Sequence, residues 1–135
     1  RRLTWGETKE SAVAEIEEIV KGLDAQIVIL DYLEESFTGL KYGMEKYYPT
    51  WKIPEDNPSI VTGIDSFTEL FNKPPKVGKW TFSTNGVTIN GFYDIPVVGF
   101  GPGNEVLAHA PNEKVPVDDL VKASAFYALY AEKMK

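Results

Sequence analysis

The sequence predicts an α/β fold, because segments typical of buried strands alternate with segments that have helical spacing. Residues 26–32 and 95–100 each contain a continuous apolar run, which is typical of a buried strand. Residues 58–71 and 118–129 carry apolar side chains three or four positions apart, which is typical of a helix packed on one face. Strands alternating with helices favour a three-layer arrangement.

The first part of the chain is predicted to form a β-α-β unit, with strands at residues 1–5 and 26–32. The helix between them begins at Thr8 or Ser11, because either hydroxyl can accept a hydrogen bond from a free helical N–H. It ends before Gly22, since glycine commonly follows a helix end. Its buried face is expected to consist of Val13, Ile16 and Val20.

A second lobe is predicted to follow the aromatic and proline-containing segment 33–56. Its first helix begins at Pro58, because Asn57 is a good cap and proline tolerates the first helical position. The helix ends before Asn72. Its apolar stripe consists of Ile60, Ile64, Phe67 and Phe71.

The remainder of the second lobe is predicted to contain strands at 77–82 and 95–100, separated by a turn at 83–86 and a short element at 87–89. A last helix is expected to be capped by Asp118. Its core face would consist of Val121, Ala125, Ala128 and Leu129.

A candidate ligand site follows from this order of elements, because ligands of open α/β sheets gather at the carboxyl ends of strands. We therefore expect the turn that contains Asn85, the glycine loop at 99–103 and His109 to meet at one rim. Glycine lets backbone N–H groups approach an anion closely, so Gly101, Pro102 and Gly103 are candidate substrate-binding residues. The alternative is that this loop is only a tight turn.

Composition and charge exclude several classes of protein. The 14 basic and 20 acidic residues give a net charge of −6, which argues against a nucleic-acid partner. No apolar run has the length that a membrane span requires, so no membrane partner is predicted. The absence of cysteine excludes disulfides and thiol nucleophiles. A cytoplasmic location is the default expectation.

His109 is the only histidine of the chain, and Asn112 and Glu113 follow it closely. Histidine is the commonest metal ligand, and neighbours of this kind supply hydrogen bonds that orient a metal-bound imidazole. One histidine without cysteine cannot complete a zinc site, so other ligands must be carboxylates or lie outside this sequence. His109 could instead be structural. A Ser-His-Asp triad is disfavoured, because no Gly-x-Ser-x-Gly elbow exists.

The chain opens with Arg1 and has no initiator methionine or cap before its first predicted strand. This predicts a segment of a longer chain, with a processed terminus as the alternative.

Residues 95–113, which contain the Gly-Pro-Gly-Asn-Glu and Ala-His-Ala-Pro-Asn-Glu motifs, resemble the C-terminal signature of a zinc metallopeptidase family. That family includes acetylornithine deacetylase, succinyl-diaminopimelate desuccinylase, aminoacylase and carboxypeptidase G. Residues 5–11, 48–51 and 79–86 are similar to a subgroup named in genomes as selenium-metabolism hydrolases.

The resemblance implies that residues 1–48 are the second half of a lid and dimerisation domain, and that residues 49–135 are the C-terminal part of the catalytic domain. It implies two zinc ions, a homodimer formed through the lid, and hydrolysis of amide bonds in N-acyl amino acids or small peptides. His109 corresponds to the last zinc ligand of the family, and the glycine loop to backbone that contacts the substrate.

The remaining zinc ligands and the general-base glutamate of the family lie before the second half of the lid. Glu34 and Glu35 lie on the lid side, so they are interpreted as a solvated edge and not as the catalytic glutamate pair. We therefore expect this chain alone to be inactive and to bind zinc weakly or not at all. The alternatives are a non-catalytic dimerisation or scaffold module and a small-anion-binding domain that uses the glycine loop.

Overall fold

A computed structural model of the chain describes residues 1–80 and 82–135. The chain forms two compact units. The first comprises Arg1–Lys52 with Asn85–Asp94, and the second comprises Ile53–Thr84 with Ile95–Lys135. The predicted domain boundary near residue 48 concerns the domains of the intact protein and stays a prediction. Among the described residues, no helix has the length and apolar character that crossing a bilayer requires.

The first helix, α1, spans Lys9–Ile19, and the sequence predicted it. Thr8 is the N-cap, and its hydroxyl accepts from the Ser11 N–H at 3.1 Å, while the Ser11 hydroxyl accepts from the Thr8 N–H at 2.9 Å. This reciprocal capping box uses both of the predicted cap residues. Val13, Ile16 and Val20 are half-buried and the buried residue of the helix is Ala12, so the predicted inward face is confirmed in part.

Polar contacts hold the N-terminal end of this first unit. Arg1 forms ion pairs with Glu7 and Glu15. The Thr4 N–H and hydroxyl, together with Arg1, hold the pKa of Glu7 below its ordinary value. Residues 1–5 pair with no strand in the part of the chain that the structure describes, so the predicted first strand is wrong.

The predicted buried strand at 26–32 is reduced to the two-residue strand β1, Asp31–Tyr32. It pairs antiparallel with β2, Met44–Glu45, in the register Asp31↔Glu45 and Tyr32↔Met44. Val28 and Leu30 are 60% and 61% exposed. A strand exists only where a neighbour accepts its hydrogen bonds, and here only the end of the run has one.

Two helices form the second unit's scaffold. Helix α2 spans Pro58–Phe71, and the Asn57 side chain caps it by accepting from the Ser59 N–H at 3.0 Å. Asn72 ends it in the left-handed conformation, with φ +52°. The cap, the proline and the end point were all predicted, because each depends on local chemistry.

Helix α3 spans Val117–Lys133 with Pro116 at the N-cap, so the prediction that Asp118 caps it is wrong. Asp118 lies within the first turn, where a carboxylate interacts favourably with the helix dipole. The predicted core face is wrong for three of its four residues, since Val121 is 66% exposed and Ala125 and Ala128 are exposed. The fourth, Leu129, is half-buried.

The buried face of α3 consists instead of Ala123 and Phe126, with Tyr130 half-buried. The Phe126 ring lies 4.0 Å from the Phe100 ring and stacks at 5.8 Å on Tyr130. Large aromatic rings bury more apolar area than valine or alanine, so they decide which face turns inward. Ser66 of α2 is fully buried, and its hydroxyl donates to the Thr62 carbonyl.

The predicted strands at 77–82 and 95–100 are absent from the described residues, and Thr81 lies outside them. The predicted short element at 87–89 lies in a π-helix, Val87–Phe92, and a 3₁₀-helix follows later at Glu105–Leu107. Helices with one small sheet are compatible with an α/β domain, but the described residues form no three-layer sheet.

The chain exposes an unusually large surface. Its accessible area is 10,770 Å². A folded monomer of 15.1 kDa is expected to expose about 7,100 Å². The segments predicted as strands contribute to this surface, since Val28, Leu30, Val77 and Ile95 are all exposed.

Candidate functional site

The glycine loop contains glycines with different structural roles. A Cβ at Gly99 would lie 2.7 Å from the Trp80 ring, and Gly103 has φ +88°, which disfavours other residues. A Cβ at Gly101 would meet nothing within 4 Å among the described residues. Packing thus explains Gly99, and backbone conformation explains Gly103. Neither explains Gly101, and its predicted substrate-binding role stays a prediction.

Residues 104–113 form a continuous series of tight turns that leads from the glycine loop to the candidate metal ligand. The Asn104 side chain accepts from the Val106 N–H at 3.0 Å and starts the 3₁₀-helix. The Ala108 N–H donates to the Glu105 carbonyl at 3.1 Å. Each bond spans only a few residues, so the path of this segment is determined locally.

His109 lies within these turns and is exposed. Its φ is +60°, and that of Asn112 is +62°, so both adopt the left-handed conformation that non-glycine residues rarely occupy. The His109 backbone N–H donates to Glu113 Oε2 at 3.1 Å. The predicted contacts of Asn112 and Glu113 with the imidazole stay predictions, because the recorded contact is with the backbone.

Two shallow clefts of about 330 and 360 Å³ adjoin the glycine loop. Both are lined by Gly103, Asn104, Lys114 and Val115. The second also includes Pro102 and Glu113. The structure therefore brings Pro102, Gly103 and Glu113 to one surface. His109 does not line either cleft.

Asn85 belongs to the first compact unit, whereas the other candidate site residues belong to the second. Its backbone carbonyl accepts from the Thr88 and Ile89 N–H groups at 3.0 and 3.1 Å, which starts the π-helix. Its side chain is exposed. The substrate-binding role predicted for Asn85 stays a prediction.

The described residues do not form a metal centre on their own. No group of three His, Cys, Asp or Glu side chains lies close enough to hold an ion in the part of the chain that the structure describes. Zinc needs three or four protein ligands, so the donor set here does not fit a complete site. The zinc-ligand role predicted for His109 stays a prediction.

Sequence reasoning missed two contacts that shape this region. The Trp80 ring packs on Gly99, and the Tyr127 hydroxyl of α3 donates to the Phe100 carbonyl at the start of the loop. Both join residues about 20 or more positions apart, and no local pattern announces such a contact.

Comparison with known proteins adds the family. The model of peptidase family M20/M25/M40 matches residues 8–133. Two curated relatives, each called "Uncharacterized protein YgeY" and coming from Escherichia coli strain K12 and from Escherichia coli O157:H7, are 50% identical over 130 residues. The match covers 95% of this chain and 32% of each relative, so the chain spans about a third of their length. No solved structure matches it. The resemblance inferred from the motifs at 95–113 is thereby confirmed, and the chain belongs to the M20/M25/M40 peptidase family.

Proposed function

We propose that this chain is the C-terminal part of a zinc-dependent hydrolase that cleaves amide bonds in N-acyl amino acids or small peptides. The observation that carries the proposal is the family match over residues 8–133, which includes His109 and the glycine loop. A peptidase family is a family of hydrolases, so the coarse activity follows from membership. The substrate class and the role of zinc are the proposed part.

His109 supplies one zinc ligand in this proposal. Its exposed side chain and its place at the end of the turns after the glycine loop support that role. Zinc, when bound, polarises an amide carbonyl and lowers the pKa of a bound water. The remaining ligands and the general-base glutamate come from residues outside this chain, which is consistent with its covering 32% of its relatives.

The backbone at Gly101 binds the substrate in this proposal, because a ligand can approach it without meeting a side chain of the described residues. Residues 1–48 belong to a lid through which two copies pair, and residues 49–135 belong to the catalytic domain. The strands predicted at 77–82 and 95–100 join a three-layer domain when the rest of the family fold is present. The proposed location is the cytoplasm.

The proposal is tested on the polypeptide encoded by the complete reading frame. We expect a His-x-Asp motif and an adjacent glutamate pair before Arg1, and we expect His109→Ala to lower the zinc content and abolish hydrolysis of N-acyl amino acids. Glu105→Gln is the matched control, because Glu105 is a nearby exposed carboxylate. Unchanged zinc and activity in His109→Ala would favour the scaffold alternative.

Binding of a small anion is a second candidate function, and Lys114 favours it. Lys114 lines both clefts beside Gly103 and has no ion-pair partner among the described residues. Calorimetry with phosphate, sulfate and amino-acid carboxylates in the presence of a chelator tests this function. Binding that survives chelation and is lost in Lys114→Met supports it, and an absence of heat in all three titrations refutes it.

A further inference from the structure

The backbone of His109 is held in a conformation that costs free energy. A non-glycine residue in the left-handed region is destabilised unless its surroundings compensate. His109 and Asn112, only three positions apart, both lie in this region. Such a pair of turns persists only where specific contacts hold it.

Glu113 supplies these contacts from both its backbone and its side chain. Its N–H donates to the Ala110 carbonyl at 3.1 Å, and its Oε2 accepts from the His109 N–H at 3.1 Å. The Ala110 N–H donates in turn to the Leu107 carbonyl at 3.1 Å. Glu113 therefore closes the turn that contains the histidine.

The carboxylate contacts the main chain and not the imidazole. Neither ring nitrogen of His109 is hydrogen-bonded within residues 1–80 and 82–135, so both stay open to other partners. A carboxylate bound to a backbone N–H fixes the Cα–Cβ direction of the residue whatever the tautomer of the ring. Charged acceptors also form stronger hydrogen bonds than neutral ones.

We propose that Glu113 is a positioning residue that acts through the backbone of His109, holding the left-handed turn and thereby directing the imidazole. Glu113 also lines the cleft that contains Pro102 and Gly103. The relevance of this role to hydrolysis rests on the proposed function, whereas the backbone role itself does not.

Nuclear magnetic resonance of this chain tests the backbone role directly, because selective ¹⁵N labelling of its single histidine leaves one backbone amide and one imidazole to observe. Glu113→Ala should raise the hydrogen-exchange rate of the His109 amide about tenfold, in line with the loss of a hydrogen bond to a charged acceptor. Glu113→Gln keeps an acceptor oxygen at the same reach and should restore most of the protection.

Two further variants separate this role from general destabilisation. Glu113→Asp keeps the charge but loses one methylene of reach, so it should behave like Glu113→Ala. Glu105→Gln changes a neighbouring exposed carboxylate and should leave the His109 amide unchanged. The proposal is overturned if Glu113→Asp retains full protection, or if Glu105→Gln causes the same loss. Glu113→Gln and Glu113→Asp decide the matter even where Glu113→Ala fails to fold.

Zinc affinity of the complete polypeptide, measured by competition with a chromophoric chelator, connects the role to the proposed site. Glu113→Ala should weaken zinc binding about tenfold, which is the usual cost of losing a residue that supports a ligand. If His109→Ala leaves zinc affinity unchanged, the proposed function fails, whereas the amide result still decides the positioning role. If His109→Ala abolishes binding but Glu113→Ala has no effect on affinity, the positioning role in the metal site is refuted.

Discussion

The α2–α3 helix pair and the segment 104–113 keep their shapes by different means. The helix pair depends on side-chain packing, with Phe126 4% exposed and its ring 4.0 Å from that of Phe100. The 104–113 segment is largely exposed and depends on hydrogen bonds between near neighbours. A scaffold that packs well thus adjoins a candidate site whose geometry depends on a few polar contacts.

The largest expected effect is the loss of packing in the helix pair. Phe126→Ala removes a buried ring between Phe100 and Tyr130 and should lower the free energy of unfolding by about 3 kcal/mol. Urea denaturation followed by fluorescence measures this. Val121→Ala on the exposed face of the same helix is the control and should change it by less than about 0.5 kcal/mol. Equal losses would show that the faces of α3 are assigned wrongly.

The boundary between the two regions is tested at Gly99. Gly99→Ala places a methyl group 2.7 Å from the Trp80 ring, so the indole must move, at a cost of about 1–3 kcal/mol. A shift of the tryptophan emission spectrum and a lower urea midpoint are expected. Gly101→Ala is the matched control, because its Cβ meets nothing within 4 Å of the described residues. A silent Gly99→Ala would contradict the packing described here.

The hydrogen-bonded segment is tested at its first turn. Asn104→Ala removes the side-chain acceptor for the Val106 N–H and should cost about 1 kcal/mol. The effect should appear as faster amide exchange within residues 104–113, with the amides of α2 unchanged. Exchange that rises equally in α2 would mean that the segment and the helix pair unfold together.

The smallest expected effect has the opposite sign. Gly63→Ala adds a Cβ in α2 at ordinary contact distance, 3.6 Å from Val98 and 3.7 Å from Tyr130. Alanine favours a helix over glycine, so unfolding should cost about 0.5–1 kcal/mol more. A rise in the thermal midpoint checks this, and a fall would show that the helices are closer than described.

The sequence predicted helices better than strands for a physical reason. The bounds of α2 follow from Asn57, Pro58 and Asn72, which act within one helical turn. A strand depends on partners elsewhere in the chain, so the apolar run before Asp31 could not announce that only two residues would pair. The prediction of the inward face of α3 was also wrong for most of its residues. It followed the spacing of alanine and valine, whereas the larger apolar area of Phe126 decides which face is buried.

The candidate site was predicted in composition but not in geometry. The position of His109 after the glycine loop is visible in the sequence, and so is its proximity to Glu113. The sequence does not show the left-handed backbone of His109 or the hydrogen bond from its N–H to the Glu113 carboxylate. Both depend on how consecutive turns close. The contact between Trp80 and Gly99 joins segments 19 residues apart and has no local signature.

The large exposed area has a consequence for how steeply the chain responds to denaturant. The slope of stability against urea concentration scales with the area newly exposed on unfolding. With 10,770 Å² already accessible, unfolding exposes about 11,000 Å² rather than the roughly 15,000 Å² typical of a chain of this mass. We therefore expect the slope of stability against urea concentration to be about three quarters of the usual value. The urea unfolding transition should be correspondingly broad.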